Sequence, residues 1–154
     1  MTITLGVVDA DGCMPRRSCC VSSLSYRSRL MLRSAQVVSI VDDDEAARLA
    51  TGNLVRSFGR HTCLFASAQE FLLSGQLGST SCLISDVMMP GMSGVEMHDR
   101  IIALGYAPPT IFITAFPSAD LKANALAKGA LAVLEKPVDP DAIAHWLSVA
   151  LDAP

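Results

Sequence analysis

The sequence predicts an α/β domain built on a doubly wound parallel sheet. Between residues 36 and 151, five short apolar segments alternate with five segments of helical periodicity. The short segments are mostly continuous in apolar character, as expected when helices cover both faces of a parallel sheet. Because crossovers between parallel strands are right-handed, the predicted architecture is a doubly wound sheet of five strands.

The first strand and the first helix are predicted at residues 36–41 and 45–58. The strand reads QVVSIV, an apolar, β-branched segment that suits a buried strand. The residues that fall on one face of the following helix are Ala47, Thr51, Leu54 and Phe58. Asp43 or Asp44 can cap the start of this helix, and Gly59 marks its end.

The next units continue the alternation. A less hydrophobic strand is predicted at residues 61–66, and a Ser-x-x-Glu capping-box pattern opens a short helix at residues 67–73. A loop rich in Gly, Ser and Thr occupies residues 74–81. It leads to a third strand at residues 82–85, which ends at Asp86.

The second half of the chain completes the pattern with capped helices and short strands. The remaining elements are a helix at residues 93–104, a strand at 109–114, a helix at 118–128 that ends at Gly129, a strand at 131–134 and a helix at 139–151. The side chains expected to face the core are Val95, Met97 or His98, Ile101, Ile102, Ile143, Trp146 or Leu147, and Ala150.

Polar residues lie at the carboxyl ends of four of the predicted strands. They are Asp42 and Asp43, Asp86, Thr114 and Lys136. In a doubly wound sheet these ends share one edge, where ligands bind. Close carboxylates repel one another, and Mg²⁺, which prefers oxygen ligands, relieves that repulsion. A carboxylate beside such an ion can attack phosphorus, while a Lys ammonium and a Thr hydroxyl neutralise the phosphoryl oxygens.

Composition and charge exclude several classes of protein. The chain has 154 residues, 51% hydrophobic and 18% charged, which fits one domain with a substantial core. No apolar run approaches the ~20 residues that a membrane helix needs. Residues 36–154 carry a net charge of −6, which argues against nucleic acid as a direct partner. The five cysteines include no C-x-x-C pair, so Cys63 and Cys82 are expected to be free, buried thiols.

Residues 1–35 form a separate region, and residues 36–154 form the domain. The first region has six Ser, five Arg and a net charge of +3, which superficially matches a transit peptide. Arg16-Arg17 suggests a twin-arginine signal, but a clean hydrophobic segment does not follow. We expect a disordered extension or untranslated upstream sequence, with Met31 as a candidate start. The intact mass of protein made from the native gene tests this, and a chain that begins at Met1 or Thr2 contradicts it.

Four motifs resemble the receiver domain of two-component response regulators. They are IVDDD at 40–44, LISDVMMPGMSG at 83–94, FITA at 112–115 and GALAVLEKP at 129–137. The resemblance extends from residue 36 to about residue 151 and is closest to the subgroup whose EKP motif often precedes a helix-turn-helix output domain. It implies a flavodoxin-like fold with strand order 2-1-3-4-5. It also implies a cytoplasmic phosphoprotein that takes its phosphoryl group from a histidine kinase or phosphotransfer protein.

The resemblance also assigns roles to the polar residues at the strand ends. It implies that Mg²⁺ is held by the side chains of Asp42, Asp43 and Asp86 and by the backbone carbonyl of Met88. Asp86 is implied to be the phosphoacceptor, Thr114 the switch hydroxyl and Lys136 the lysine that binds the phosphoryl group. The bond between Lys136 and Pro137 is implied to be cis. Such a protein catalyses only its own phosphorylation and dephosphorylation, so it is not a conventional enzyme.

The sequence departs from the family pattern in two ways. Val133 stands where the family usually has Tyr or Phe, which predicts a weaker or altered readout through the fourth helix, fifth strand and fifth helix. The chain also ends at Pro154, directly after the last predicted helix, without an output domain. A downstream protein is expected to read the face formed by the fourth helix, fifth strand and fifth helix, and the same face is the candidate surface for a homodimer.

Two alternative functions stay open at this point. Val133 is consistent with a receiver-fold interaction module that does not switch through phosphate. LGVVDADG at residues 5–12 resembles the first motif of haloacid-dehalogenase phosphatases, with Asp9 as nucleophile and Asp11 as general acid. Against that phosphatase, its acidic pair comes last in the chain, whereas Asp42 and Asp43 come early. The three histidines are unclustered and are expected to be structural or surface residues.

Overall fold

A computed structural model describes residues 35–152, which form a five-stranded parallel sheet flanked by helices. The strands are β1 (Val37–Val41), β2 (His61–Phe65), β3 (Thr80–Asp86), β4 (Thr110–Thr114) and β5 (Ala132–Glu135). The helices are α1 (Glu45–Ser57), α2 (Ala68–Leu73), α3 (Gly94–Ala103), α4 (Ala119–Ala127) and α5 (Pro140–Leu151), with a 3₁₀ turn at Leu77–Ser79. The strand order β2-β1-β3-β4-β5 confirms the predicted doubly wound, flavodoxin-like fold.

Each α-helix begins at a residue whose side chain accepts hydrogen bonds from the backbone of the first turn. These N-cap residues are Asp44, Ser67, Ser93, Ser118 and Asp139. Ser93 forms a complete capping box with Glu96. The box predicted at Ser67 forms only in part, because the carboxylate of Glu70 accepts instead from the N–H of Ala66. Such caps satisfy backbone groups that the helix itself leaves unpaired.

The core lies on both faces of the sheet, as the continuous apolar strands predict. On one face, Ile40, Ile84 and Ile111 belong to a buried cluster with Ile143 and Leu147 of α5. The other face carries two clusters. The first is centred on α2 and α3 and includes Phe71, Met97 and Ile101, and the second packs Phe112 against Val87, Ala125 and Ala130. Burial on both faces fixes the strands, and therefore the residues at their ends.

Two predictions of core-facing side chains are wrong. Phe58 is 38% exposed because it is the C-cap of α1, beyond the last helical turn, while Val55 is fully buried. Ile102 is 43% exposed, because the buried positions of α3 are filled by Met97, His98 and Ile101. Met97 and His98 are predicted as alternatives for one core-facing position, and both are buried.

Strand β3 begins two residues earlier than predicted. Thr80 pairs with Val37 of β1, and its hydroxyl lies 2.8 Å from that of Ser39 and donates to the carbonyl of Gln76 at 2.7 Å. These contacts satisfy hydroxyl groups that are buried in the sheet, so a polar segment extends the strand. Within residues 35–152, the structure contains no helix with the length and apolar character needed to cross a membrane.

Candidate functional site

The carboxyl edge of the sheet gathers the predicted polar residues. Asp86 and Thr114 are the last residues of β3 and β4, and Lys136 directly follows β5. Asp42 and Asp43 directly follow β1. Among the described residues, oxygen atoms of the three carboxylates lie within 4.8 Å of one another. The strand ends therefore bring together the acidic cluster that the sequence predicts.

Lys136 joins two buried carboxylates. Its Nζ donates to Oδ2 of Asp86 at 2.8 Å and to Oδ2 of Asp42 at 3.0 Å. Asp42 is 4% exposed and Asp86 is 7% exposed, so both carboxylates depend on nearby donors. Burial alone would lower the pKa of Lys136, but the hydrogen bonds and charges of these two aspartates outweigh it and raise that pKa. Lys136 is therefore held as a cation at the centre of the site.

One ammonium does not neutralise this site. Burial raises the pKa of Asp42, and the hydrogen bonds from Asp44 and Lys136 only partly oppose that rise. Asp43 adds a third carboxylate at the exposed rim. An excess of carboxylate oxygens at this spacing fits Mg²⁺, a hard cation that takes oxygen ligands and commonly keeps several waters. The donor set is therefore suited to the predicted ion.

Asp86 is also fixed by the loop that follows it. The backbone N–H of Met88 donates to Oδ1 of Asp86 at 3.0 Å, while the Met88 side chain is 63% exposed. The two carboxylate oxygens of Asp86 thus have different partners, a backbone amide and the Lys136 ammonium. This places Met88 at the site, and the metal-binding role of its carbonyl stays a prediction.

Thr114 is the last residue of β4, and its hydroxyl oxygen accepts a hydrogen bond from the loop that follows the strand. Its side chain is fully buried, and Oγ1 accepts from the N–H of Phe116 at 3.1 Å. Its carbonyl accepts from the backbone N–H of Lys136 at 2.9 Å, which ties the end of β4 to the start of the next loop. This contact uses the hydroxyl oxygen as an acceptor and leaves the hydroxyl hydrogen to donate to another group. The predicted switch role is therefore still a prediction.

The peptide bond after Lys136 and the surroundings of Val133 in β5 bear on two further predictions. The peptide bond between Lys136 and Pro137 is cis, as the resemblance implies. Val133 is half-buried, pairs with Phe112 in the sheet and packs against the cluster that includes Ala125 and Ala130. The position that usually carries an aromatic ring is thus filled by ordinary apolar packing.

Sequence reasoning missed two residues that shape the site. Arg48 of α1 donates from Nη1 to the backbone carbonyl of Asp42 at 2.7 Å. A Cβ atom at Gly94 would lie 2.1 Å from the carbonyl oxygen of Asp86, so the start of α3 can approach β3 only with glycine there. The spacing of six residues between Asp42 and Arg48 was a usable signal, because the first turn of a helix can place such a side chain over the preceding strand end. The Gly94 contact depends on how the helix packs on the strand.

Comparisons with known proteins agree with this geometry. The sequence profile of one family, the response regulator receiver domain, matches residues 38–148. Nodulation protein W of Bradyrhizobium diazoefficiens is 38% identical over 101 residues, which are 66% of this chain and 44% of that protein. Response regulator protein TodT of Pseudomonas putida is 34% identical over 142 residues, covering 90% of this chain and 63% of that protein. The chain thus spans about half of the length of these relatives.

Solved structures show the same fold. A response regulator receiver protein from Burkholderia phymatum superimposes with a TM-score of 0.66 at 37% identity, covering 77% of this chain and 97% of that one. Neither alternative function is favoured by these matches. Asp9 and Asp11, like the rest of residues 1–34, lie outside the described residues and outside the family match, so the predictions made for that segment stay predictions.

Proposed function

We propose that this chain, which belongs to the response regulator receiver domain family, accepts a phosphoryl group on Asp86 from a histidine kinase or a phosphotransfer protein. The observation that carries the proposal is the Lys136 ammonium, which contacts the buried carboxylates of Asp42 and Asp86 at once. An ammonium between two carboxylates is already in place to meet the oxygens of an incoming phosphoryl group. A purely structural ion pair would need only one of the two acids.

The transfer would use the groups at the carboxyl edge of the sheet. An oxygen of Asp86 would attack the phosphorus of a phosphohistidine, and the bond from phosphorus to the imidazole nitrogen would break. Lys136 would keep its charge and bind a phosphoryl oxygen in place of the carboxylate oxygen that it now contacts. The N–H of Met88 would continue to orient the other oxygen of Asp86.

The acidic residues beside Asp86 complete the proposal. Mg²⁺, held by Asp42, Asp43, Asp86 and the carbonyl of Met88, would supply the charge that offsets the carboxylates and the phosphoryl oxygens. Asp42 is buried and hydrogen-bonded, whereas the side chain of Asp43 is exposed at the rim. The chain would thus promote its own phosphorylation and dephosphorylation without turning over a separate substrate.

Phosphorylation would then be passed on through the surface of α4, β5 and α5. The added group brings about −1.5 to −2 charges to the edge of the sheet. The Thr114 hydroxyl, whose oxygen accepts from the Phe116 N–H, would donate its hydrogen to a phosphoryl oxygen and would shift together with the loop between β4 and α4. We propose that a downstream protein, or a second copy of the chain, reads this surface, and that these events take place in the cytoplasm.

A cavity beside Lys136 offers a place for the phosphoryl donor. It has a volume of about 300 Å³ and lies between α1 and the segment that follows β5. Its lining includes Ala47, Ala50 and Leu54 on the helix, and Pro137 and Val138 on the segment. A largely apolar surface beside Lys136, whose ammonium contacts Asp86, would suit a helix of the donor protein.

The proposal is tested by phosphorylation with acetyl phosphate in the presence of Mg²⁺. We expect the intact mass of the wild-type chain to rise by one phosphoryl group and that of Asp86→Asn to stay unchanged. Asp99→Asn is the matched control, because Asp99 is an exposed aspartate on α3, ion-paired with Lys128. A wild-type chain that gains no phosphoryl group while remaining folded, with a histidine kinase also tried as donor, contradicts the proposal.

A further inference from the structure

Every polar atom of Asp42 has a hydrogen-bond partner, and three of the four partners lie on other segments of the domain. Its N–H donates to the carbonyl of Phe65 at 3.1 Å, which anchors it to β2. Its Oδ1 accepts from the N–H of Asp44 at 2.9 Å, and its Oδ2 accepts from Lys136. Its carbonyl oxygen accepts from Nη1 of Arg48 at 2.7 Å, the shortest of these four contacts. The acidic segment is therefore tied to β2, to α1 and to Lys136, and its own turn is closed by the bond from Asp44.

Two of these bonds fix the backbone on both sides of Asp43. The carbonyl of Asp42 belongs to the peptide unit before Asp43, and the N–H of Asp44 belongs to the unit after it. Because a peptide unit is planar, holding one of its atoms restricts the orientation of the whole plane. Arg48 holds the first plane and the carboxylate of Asp42 holds the second. The exposed side chain of Asp43 thus projects from a backbone that is fixed at both ends.

The positive charge of Arg48 opposes the binding of a cation at the acidic cluster. A guanidinium close to an acidic cluster competes electrostatically with a bound cation, so by charge alone Arg48 would weaken the binding of Mg²⁺. Its hydrogen bond has the opposite effect, because a ligand that is already oriented loses less freedom when the ion binds. The two effects therefore predict opposite results for removal of the side chain.

We propose that Arg48 is a positioning residue for the acidic pair, which orients Asp43 by holding the carbonyl of Asp42 so that the site binds a divalent cation. The proposal rests on the function proposed above and adds a residue on α1 to the groups at the strand ends. Arg48 is not one of the residues proposed to hold the ion or the phosphoryl group. It acts through the backbone, as partners of metal ligands do when they orient those ligands.

The test is the affinity for Mg²⁺, measured by calorimetry on the unphosphorylated chain. We expect Arg48→Met to bind Mg²⁺ about tenfold more weakly than wild type, the scale seen when partners of metal ligands are removed. Arg48→Lys keeps the charge and one donor, so it should recover part of the affinity. Arg56→Met is the matched control, since Arg56 lies on the same helix and donates to the side chain of Asn53. It should bind as wild type does.

Amide hydrogen exchange supplies a readout that does not depend on the ion. Without Mg²⁺, the N–H of Asp44 should exchange faster in Arg48→Met than in wild type, because its peptide segment is less fixed. In phosphorylation assays, the variant should need more Mg²⁺ for half-maximal rate and reach the wild-type rate at saturation. That split separates positioning from a general loss of structure, which would lower the rate at all Mg²⁺ concentrations.

Other results would overturn the inference. Mg²⁺ binding by Arg48→Met that equals or exceeds that of wild type means that the charge effect dominates. Binding by Arg48→Lys that is weaker than by Arg48→Met leads to the same conclusion. Failure of the proposed function is recognised separately, because it appears as a wild-type chain that binds Mg²⁺ but gains no phosphoryl group on Asp86.

Discussion

The two edges of the sheet differ in how deeply they bury their ion-paired carboxylates. At the carboxyl edge, Lys136 contacts Asp42 and Asp86, whose side chains are only 6% and 8% exposed. At the amino edge, Arg60 forms a two-pronged contact with Asp152 at 2.8 and 2.9 Å, and the carboxylate is 48% exposed. Arg60 also donates to the side chain of Gln36 at 2.6 Å, which links the starts of β1 and β2 to the end of α5.

The difference in burial separates a functional arrangement from a supporting one. Exposed ion pairs contribute about 0–1 kcal/mol to stability, because water already solvates both partners. Buried pairs are costly to assemble, and removing one partner leaves an uncompensated charge. A contribution to stability therefore does not explain the buried charges at the carboxyl edge. At the amino edge, the ion pair between Arg60 and Asp152 only connects the end of α5 to the start of β2.

Removal of Lys136 should have the largest effect on stability. Lys136→Met leaves Asp42 and Asp86 buried without their cation, so we expect the free energy of unfolding to fall by about 3 kcal/mol in EDTA. Mg²⁺ should reduce this deficit, because the ion restores positive charge to the site. Urea unfolding at neutral pH measures both effects, with Lys122→Met on the exposed side of α4 as the control. If Lys136→Met were as stable as wild type in EDTA, the buried charges of the carboxyl edge would matter no more for stability than the exposed pair of the amino edge, which contradicts the account.

A smaller effect is expected where α3 meets β3. Gly94→Ala places a Cβ 2.1 Å from the carbonyl oxygen of Asp86, so the helix must shift away from the strand. Overpacking of this kind costs about 2 kcal/mol, and it should also slow phosphorylation because Asp86 moves. Gly78→Ala is the control, since its Cβ would lie 3.6 Å from the ring of Tyr106, an ordinary contact. Equal stability of the two variants would show that the contact at Gly94 relaxes freely.

His98 allows a test of buried charge away from both edges. It is 2% exposed, packs edge-on against Phe112, and among the described residues its Nδ1 has no hydrogen-bond partner. Burial lowers the pKa of His98, and the charge of Lys128 adds to this while that of Asp99 opposes it. The unfolded chain therefore binds a proton at a higher pH than the folded chain does.

It follows that acid should destabilise the fold through His98. Stability should fall as the pH drops below about 6.5, the ordinary pKa of histidine, because the unfolded state takes up the proton first. His98→Phe should show a smaller fall between pH 7.5 and pH 5.5, measured by urea unfolding. His145→Gln, at an exposed position, should behave as wild type does. An unchanged pH dependence in His98→Phe would assign the effect to other groups.

The smallest effect is expected at the amino edge. Arg60→Met removes both the ion pair with the exposed Asp152 and the hydrogen bond to Gln36, so we expect a loss of about 1 kcal/mol, part of which disappears at high salt. Arg56→Met, which leaves that pair intact, provides the baseline in the same unfolding experiment. A loss as large as that of Lys136→Met would mean that the two edges do not differ in the way their burial indicates.

Most of the carboxyl edge can be predicted from the sequence, because the patterns that mark the ends of strands and the starts of helices are local. Strand ends follow from apolar runs that stop at charged residues, as at Asp42 and Asp86, and helix starts follow from capping residues such as Ser93 and Ser118. Once the sheet is doubly wound, topology alone gathers those strand ends at one edge. The proximity of these residues can therefore be predicted without knowing how the side chains pack.

What the sequence does not predict depends on contacts between distant segments. Thr80 joins β3 because its hydroxyl meets Ser39 across the sheet, although its own segment is polar. Phe58 and Ile102 have apolar side chains with helical spacing, yet the helices present other residues to the core. The close approach of Gly94 to Asp86 likewise arises only when α3 packs on β3.

The most direct test of the account is to locate the phosphoryl group in the chain. Acyl phosphates are reduced by borohydride, which would convert a phosphorylated aspartate to homoserine and mark its position in a peptide map. After phosphorylation in Mg²⁺, the account predicts homoserine at position 86 alone. Homoserine at position 42 or 43, or a phosphorylated chain that carries none at position 86, would contradict the assignment of Asp86 as the acceptor.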